Sequence, residues 1–537
     1  IDNVFSANIL VLSHVLSPSH TIWHIPIVQE LVKNGHNVTL VTPEFQKNAN
    51  NYTLIHLKGG YEKLNFASWN LDDFQDFKAF DTLLLDYFPI SCQLTLESNG
   101  FEQILNYPKN SFDLILLDVT MSAECFYPLI KKLGTPPIIG TSPLGLVPWS
   151  GSFTGDWIYP AIFPFYTLPF TDKMTFWQRF INFYVHIYLI LHRNYVATPS
   201  VMDVMKPVYG PDADYSLDLE KRISLFLLNL DPVLGFPRPI TPNVIPVGGL
   251  HARLRGNLPK DVEKFLDDAK EGAILFSLGS NIRSDVLVKS KREALLNAFA
   301  QLPYKILWKF ESDDLPGKPD NVMIHKWLPQ PNVLNHPNVK LFITHCGELS
   351  TQETIYFHKP TVGIPVFMDQ KYNAQRMQQK EIGVALNFAT LNTKDIVKAV
   401  REVIENPKYT KNIERISSAF RDQPQTPLER AIFWIEYVLR HKGAKELEPA
   451  SLHMPFYQTY CLDIVAITLL FSILILYILK IVVNILVLSP IPSHSHSLWH
   501  RVLVQELVKN GHNVTFVSPD FEKNPNNYTF IHLEGKY

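Results

Sequence analysis

Residues 327–373 read WLPQPNVLNHPNVKLFITHCGELSTQETIYFHKPTVGIPVFMDQKYN. Val339 and Leu341 to Thr344 form an apolar, β-branched run that enters His345-Cys346-Gly347, and a helical stretch follows from about Ser350. Strand, tight turn and helix start make a phosphate-binding layout. Free N–H groups and the helix dipole attract an anion, and a small turn residue lets the backbone approach it. Trp327 offers a ring face upstream, and Asp369-Gln370 offers a polar clamp after a further strand. A stacking surface, an anion cradle and a clamp along one sheet edge suit a nucleotide-sugar.

The same alternation extends outward. Ile9 to Leu12 reads as a strand, and Ile22 to Asn34 as a helix with Ile22, Ile25, Val28, Leu31 and Val32 on one face. Gly35 stops that helix, and Val38 to Val41 is the next strand. Asp113 to Leu117 is another strand, followed by Asp118. Pro246, Gly248, Gly249, Gly256 and Pro259 mark a boundary near 245–262, and Ala273 to Ser280 opens a second strand–turn–helix series. The chain of 537 residues is long enough for two domains. The prediction is α/β, with two facing doubly wound parallel sheets and a ligand in the crevice between their carboxyl edges.

Composition narrows the function. A net charge of −2 gives no face for a polyanion, so no nucleic-acid partner is expected. Cys92, Cys125, Cys346 and Cys461 lie far apart and suggest neither a metal spacing nor a disulfide framework. Ile464 to Leu479 is uncharged and is followed by Lys480 and Ile481-Val482-Val483. With Lys480 able to snorkel and Tyr457, Tyr460 and Tyr477 as interfacial rings, this predicts one transmembrane helix over 462–483. Ile1 to Val4 is too short and polar for a signal peptide. Asn37 and Asn51 begin N-x-Thr triplets, although Asn37 also reads as the start of a strand. Phe163 to Tyr195 is unusually aromatic, which suits an acceptor pocket, a membrane contact or plain core packing.

Residues 8–61 recur as 484–537, with 37 of 54 positions identical. Two copies do not make a solenoid. The second copy is the opening βαβ of a domain begun again, and without further strands it cannot bury its sheet. It reads as a join between two related tandem genes.

Candidate catalytic groups gather at the first sheet's carboxyl edge. His20, in Ser17-Pro-Ser-His, is expected in the loop after the first strand, facing the helix start. A helix N-terminus disfavours imidazolium, so the neutral ring suits a general base; an ordinary surface loop histidine fits as well. His14 and His24 compete with it, His24 as a packed helix residue. Asp118 suits a partner that fixes the histidine tautomer, or equally a turn or cap.

The 327–373 run resembles the signature of the animal UDP-glycosyltransferases, an inverting family with two facing Rossmann-like domains of GT-B type. Its pattern is roughly W-x-P-Q, T-H-G-G, S-T-Q-E, G-x-P and D-Q. Trp327, Pro329, Gln330, Thr344, His345, Gly347, Ser350, Thr351, Gln352, Glu353, Pro365, Asp369 and Gln370 match it. Cys346 departs from it at a glycine position, and Glu348 at a usually apolar one.

The resemblance implies an acceptor-binding domain over 1–245, a UDP-sugar domain over 246–425, C-terminal helices and a membrane approach over 426–461, the span over 462–483, and the partial repeat over 484–537. It implies that His20 is the base and Asp118 its partner. Ser280 and His345-Gly347 would hold diphosphate. Trp327 would stack on uracil, and Gln330, Ser350 and Glu353 would meet the nucleoside. Ser350 and Glu353 also read as a capping box. Asp369 and Gln370 would read the sugar, and Lys309 stands where many relatives have arginine.

The expected reaction is inverting transfer of a hexose, glucose by likeness to insect members, from a UDP-sugar to a small lipophilic acceptor. It needs no metal and no cofactor beyond that co-substrate. Localisation would be the endoplasmic reticulum membrane, single-pass with lumenal catalytic domains, and homo-oligomerisation stays open. Two alternatives remain: a binding protein disabled by Cys346 and Glu348, and an epimerase-type enzyme on the same fold. A side chain at Cys346 would crowd the phosphate or demand an unfavourable backbone conformation. Its thiolate would also repel diphosphate.

Overall fold

The computed structural model describes residues 6–44, 51–59, 77–157, 159–210, 217–482, 484–523, 525 and 527–535. Ile1 to Val4 and parts of both repeat copies lie outside them. The chain forms two compact units, Ile1–His453 and Met454–Tyr537.

In the first unit, strands β1 (Asn8–Leu12), β2 (Asn37–Thr42), β3 (Thr53–His56), β4 (Leu114–Asp118), β5 (Ile138–Ser142), β6 (Ile223–Leu228) and β7 (Val244–Pro246) make one sheet. Its order is β3-β2-β1-β4-β5-β6-β7, and its pairs are parallel. A second parallel sheet has the order β10-β9-β8-β11-β12-β13. Its strands are β8 (Ala273–Ser277), β9 (Lys305–Lys309), β10 (Val322–His325), β11 (Val339–Thr344), β12 (Thr361–Gly363) and β13 (Gly383–Ala385).

Strand periodicity explains why both sheets are covered twice. Alternate residues face opposite sides. Leu10, Leu12, Ile115 and Leu117 pack in one cluster, while Ile9, Val11, Leu114 and Leu116 pack in another. The second sheet divides likewise, Ile274, Phe276, Leu341 and Ile343 against Ala273, Leu275 and Phe342. Strands buried on both faces need the near-continuous apolar runs seen in the sequence.

Each sheet reverses its winding between two adjacent strands, β1 and β4 in the first and β8 and β11 in the second. Their carboxyl ends are the switch points where ligands bind in such sheets. His20 lies in the first turn of the helix Pro18–Lys33, not in the loop before it, because Ser17 is the N-cap and Pro18 is suited to the first helical position. Asp118 is the last residue of β4.

One further expectation changes, that of no disulfide, and two segments gain a place. In helix Pro427–His441, Ala431, Ile432, Ile435 and Val438 pack with Trp23, Ile27 and Leu31 beneath the first sheet. Cys92 and Cys125 form a disulfide with a Cα–Cα distance of 5.7 Å. They are 33 residues apart, and only folding brings the helix Phe77–Leu96 against the turn Ala123–Phe126 that follows β4. The aromatic segment turns much of its surface outward, with Trp177 67% and Tyr195 76% exposed.

The second unit holds a helix over Leu462–Val482, but among the described residues no helix is long and apolar enough to cross a membrane. The uncharged run from Ile464 to Leu479 reaches about 24 Å at 1.5 Å per residue, short of the ~30 Å hydrocarbon thickness. The predicted span over 462–483 is therefore corrected to a helix. The repeat forms β14 (Ile485–Leu488), β15 (Val514–Ser518) and β16 (Thr529–His532) in one parallel sheet beside helix His494–Lys509. Trp499 is 69% exposed, whereas the matching Trp23 is fully buried. Trp23 is covered by a seven-stranded sheet and helix Pro427–His441, whereas the described residues of the second unit pair only three strands.

Candidate functional site

A cleft of about 400 Å³ lies between the carboxyl edges of the two sheets of the first unit. All the expected donor residues line it: Ser280, Lys309, Trp327, Gln330, His345, Gly347, Ser350, Glu353, Asp369 and Gln370, with His20 facing them. Asp118 is fully buried behind His20.

The dyad follows from topology. β1 and β4 pair at Leu12 and Leu117, so the residues just past their ends converge. His20 Nδ1 lies 2.6 Å from Asp118 Oδ2. Asp118 Oδ1 accepts from the Thr120 amide at 3.0 Å. Burial alone would push the Asp118 carboxyl up. The charge and hydrogen bond of His20, with His24 and His14 nearby, outweigh it and hold the group well below the usual carboxylate range. An ionised Asp118 fixes the proton on Nδ1 and leaves Nε2 as the ring's acceptor atom.

The competing histidines are structural. His24 is fully buried, with its ring nitrogens on the His20 carbonyl and Thr141 Oγ1, both at 2.8 Å. Burial brings it down to about 4. His14 Nε2 meets the Met121 carbonyl at 2.9 Å, and burial lowers that group too. Neither lines the cleft.

On the other side, β8 and β11 pair at Ser277 and Thr344, so the turns after them converge on one point. His345 sits there between two glycines. A Cβ on Gly279 would lie 2.5 Å from the ring, and one on Gly347 would lie 2.4 Å from Nε2. Burial, with Lys309 nearby, pushes His345 down to about 3. A neutral ring carries one N–H that can be offered to a ligand, and Nδ1 is buried without a partner. Gly347 is the N-cap of helix Glu348–Tyr356 and has no side chain to cap it. The helix thus starts two residues before Ser350, and the expected capping box between Ser350 and Glu353 does not form.

Glu353 instead turns to the cleft, where Gln330 Nε2 donates to it at 2.6 Å and to Ser350 Oγ at 3.1 Å. Burial raises Glu353 to about 7, against the pull of Arg255. Asp369 Oδ2 accepts from the Glu348 amide at 3.0 Å and from Asn373 at 2.6 Å. Burial and the Glu348 charge raise it to about 7. Gln370 gives its oxygen to the Val366 and Phe367 amides, which frees its amide nitrogen for a ligand. Trp327 is 57% exposed, with Lys309 Nζ 6.0 Å from its ring centroid. Lys309 also holds Glu311 at 2.6 Å.

The two departures from the motif are absorbed locally. Cys346 adopts φ 65°, a left-handed conformation that costs an L-residue roughly 1–2 kcal/mol. Its side chain, however, is fully buried among Leu234, Ile355, Ala374 and Met377 and is not part of the cleft wall. Burial pushes the thiol far up, so no thiolate faces the phosphate site. Glu348 is paired with Arg376 at 3.0 Å and accepts from Gln352 at 2.9 Å. A Cβ on Gly363 would lie 2.4 Å from Cys346 Sγ, its other neighbours being 3.7 Å or more away. Gly363→Ala is therefore expected to destabilise the protein by about 1–3 kcal/mol and to be tolerated in a Cys346→Gly background, as measured by denaturant unfolding of both variants. Cys346→Gly alone should leave kcat/KM unchanged.

Some cleft residues carry no motif. Arg255 lines the cleft near Glu353. Asn281 bridges the two halves, its Nδ2 3.0 Å from Ser17 Oγ. The Gly-rich boundary around Arg255 was the sole hint of the former. Val15, Leu16, Ile22, Met121 and Leu144 form an apolar wall on the His20 side, with Phe367 and Met368 opposite. No residue of the aromatic 163–195 segment lines the cleft.

The family model described as UDP-glucoronosyl and UDP-glucosyl transferase matches residues 7–488. UDP-glucosyltransferase 2 of Dactylopius coccus is 30% identical over 510 residues, 92% of this chain and 95% of that protein. UDP-glucuronosyltransferase 1A6 of Mus musculus is 32% identical over 489 residues, 86% and 88%. Among solved structures, the calicheamicin glycosyltransferase CalG4 superposes with a TM-score of 0.55 at 18% identity, covering 81% of this chain and 99% of that one, which supports the fold.

Proposed function

The chain belongs to the UDP-glucoronosyl and UDP-glucosyl transferase family and is a UDP-glycosyltransferase; from this we propose that it transfers glucose from UDP-glucose, with inversion, to a hydroxyl of a small lipophilic acceptor. The observation that carries the reading is the His20–Asp118 contact of 2.6 Å at the wall of a cleft whose opposite side is an anion cradle.

His20 Nε2 takes the acceptor's hydroxyl proton. The oxygen attacks the anomeric carbon, the bond from that carbon to the phosphate oxygen breaks, and UDP leaves with the electron pair. Asp118, kept ionised, stabilises the imidazolium without taking its proton. The leaving diphosphate meets the first-turn amides of helix Glu348–Tyr356, the His345 N–H and the Ser280 hydroxyl. Trp327 stacks on uracil, Gln330, Ser350 and Glu353 meet the ribose, and Asp369 with Gln370 reads the sugar hydroxyls. Lys309 and Arg255 supply positive charge. The apolar wall beside His20 suits a lipophilic acceptor. The Cys92–Cys125 disulfide supports an oxidising compartment such as the endoplasmic reticulum lumen.

A UDP-release assay with UDP-glucose and a simple phenol tests the activity, and the anomeric coupling in the product's NMR spectrum tests inversion. Donor binding without turnover would favour a binding protein, and donor consumption without glycoside an epimerase.

The pH dependence of donor binding has a definite sign. Glu353 is raised to about 7 in the free protein. A ribose that donates hydrogen bonds to it favours the ionised form, so its pKa falls in the complex. UDP affinity should weaken as pH drops below 7, and binding at pH 6.5 should release protons. Calorimetry in buffers of different ionisation enthalpy measures this, and Glu353→Gln should abolish the release. Uptake of protons on binding would contradict the role.

A further inference from the structure

We propose that a second cavity of about 150 Å³, adjoining the cleft, is a subsite for a carboxylate carried by the acceptor. The proposal rests on the transferase reading above.

The two cavities share Leu144, Glu348 and Asp369. The smaller one is otherwise walled mainly from the His20 side of the molecule, by the loop after β5, by Phe163 and Tyr166, and by the segment that follows β6. At ~30 Å³ per water-sized group it has room for about five such groups.

Two donors in its lining, Arg238 and Tyr166, are unanswered. The Arg238 side chain is 4% exposed, and its nearest carboxylate, Asp156 Oδ2, is 3.5 Å away. A charge-assisted bond would be about 2.7–2.9 Å. Both terminal nitrogens, Nη1 and Nη2, are buried without a hydrogen-bond partner. The guanidinium lies 4.6 Å from the Phe163 ring centroid, and that ring supports its face. The Tyr166 hydroxyl, also buried, has no partner either. Unpaired buried donors on a cation are costly, and a ligand with several acceptor lone pairs removes that cost.

The surrounding acids leave the Arg238 N–H groups without a hydrogen bond. Glu348 is held by Arg376. Asp231 accepts from the Val233 and Leu234 amides at 2.8 and 3.0 Å. Burial pushes Asp156 up to about 6 against the pull of Arg238, and Asp369 up to about 7. Arg238, ion-paired loosely with Asp156 at 3.5 Å, therefore faces the chamber with both terminal nitrogens lacking a hydrogen bond.

The test compares 4-hydroxybenzoate with its methyl ester, using UDP-glucose and the whole protein. Arg238→Gln should raise KM for the acid by about tenfold or more, the range of a hydrogen bond to a charged group, and leave KM for the ester unchanged. Arg238→Lys should retain part of the preference, and Tyr166→Phe should lose a smaller part. Equal changes for acid and ester, or no change in either, would overturn the proposal. So would an effect seen with UDP-glucuronate in place of UDP-glucose and absent with the acid acceptor. Turnover of the ester reports on the transferase reading separately. If no acceptor is turned over, thermal stabilisation by 4-hydroxybenzoate still decides: it should occur in the natural protein and vanish in Arg238→Gln, and its absence in both overturns the subsite.

Discussion

Replacing His20 with glutamine is expected to lower kcat by about 10²–10⁴-fold, the usual contribution of a positioned base. Glutamine keeps an N–H for Asp118 but has no basic nitrogen. It avoids leaving Asp118, fully buried, without a partner, which an alanine would do at a cost of several kcal/mol. Loss of turnover in His20→Gln with an unchanged melting curve and unchanged UDP affinity isolates the proton transfer. Asp118→Asn should fall in the same direction, since an amide in place of the carboxylate no longer fixes the Nδ1–H tautomer and cannot stabilise the imidazolium. His24 is the control. Its ring nitrogens are already engaged by the His20 carbonyl and Thr141, so substitutions there should lower stability more than kcat. Turnover by His20→Gln near the natural level would sink the mechanism.

The second large effect belongs to the cradle. The His345 ring fills the space that side chains on Gly279 and Gly347 would need, with clashes of 2.5 and 2.4 Å. Gly279 also has φ 81°, which penalises any side chain. Gly347→Ala is therefore expected to push the ring out of the diphosphate site and lower kcat/KM for the donor by about 10²-fold, the order reported for loss of one charge-stabilising donor. Gly279→Ala should do at least as much. Calorimetric titration with UDP separates lost binding from lost chemistry. Natural UDP affinity in both variants would show that the turn is not the phosphate site.

The site was unevenly legible in the sequence. The donor half sits in one continuous motif from Trp327 to Asn373, because a strand, a turn and a helix N-terminus supply most of it locally. The proposed catalytic half was visible as candidates only, since three buried histidines within eleven residues differ in the partner each ring meets, which spacing does not reveal. Asn281 and Arg238 gave no pattern at all, and Arg255 only its place in a Gly-rich boundary. Each reaches its cavity from a loop whose path depends on both sheets. The Cys346 position shows the limit from the other direction. A side chain at a glycine position reads as an obstruction, but backbone geometry directs Sγ toward Gly363 and away from the cleft.

Sequence by itself determined the alternating strands and helices, the two-sheet class, the nucleotide-sugar motif and the duplicated βαβ. These are local or periodic properties, written in runs of apolar residues and in turn chemistry. The tertiary structure alone decided which histidine meets Asp118, that Cys92 meets Cys125, that Glu348 is neutralised by Arg376, and that Arg238 lines a second chamber. Those facts depend on which strand ends are adjacent, and strand order is set by packing over more than a hundred residues rather than by any spacing in the chain.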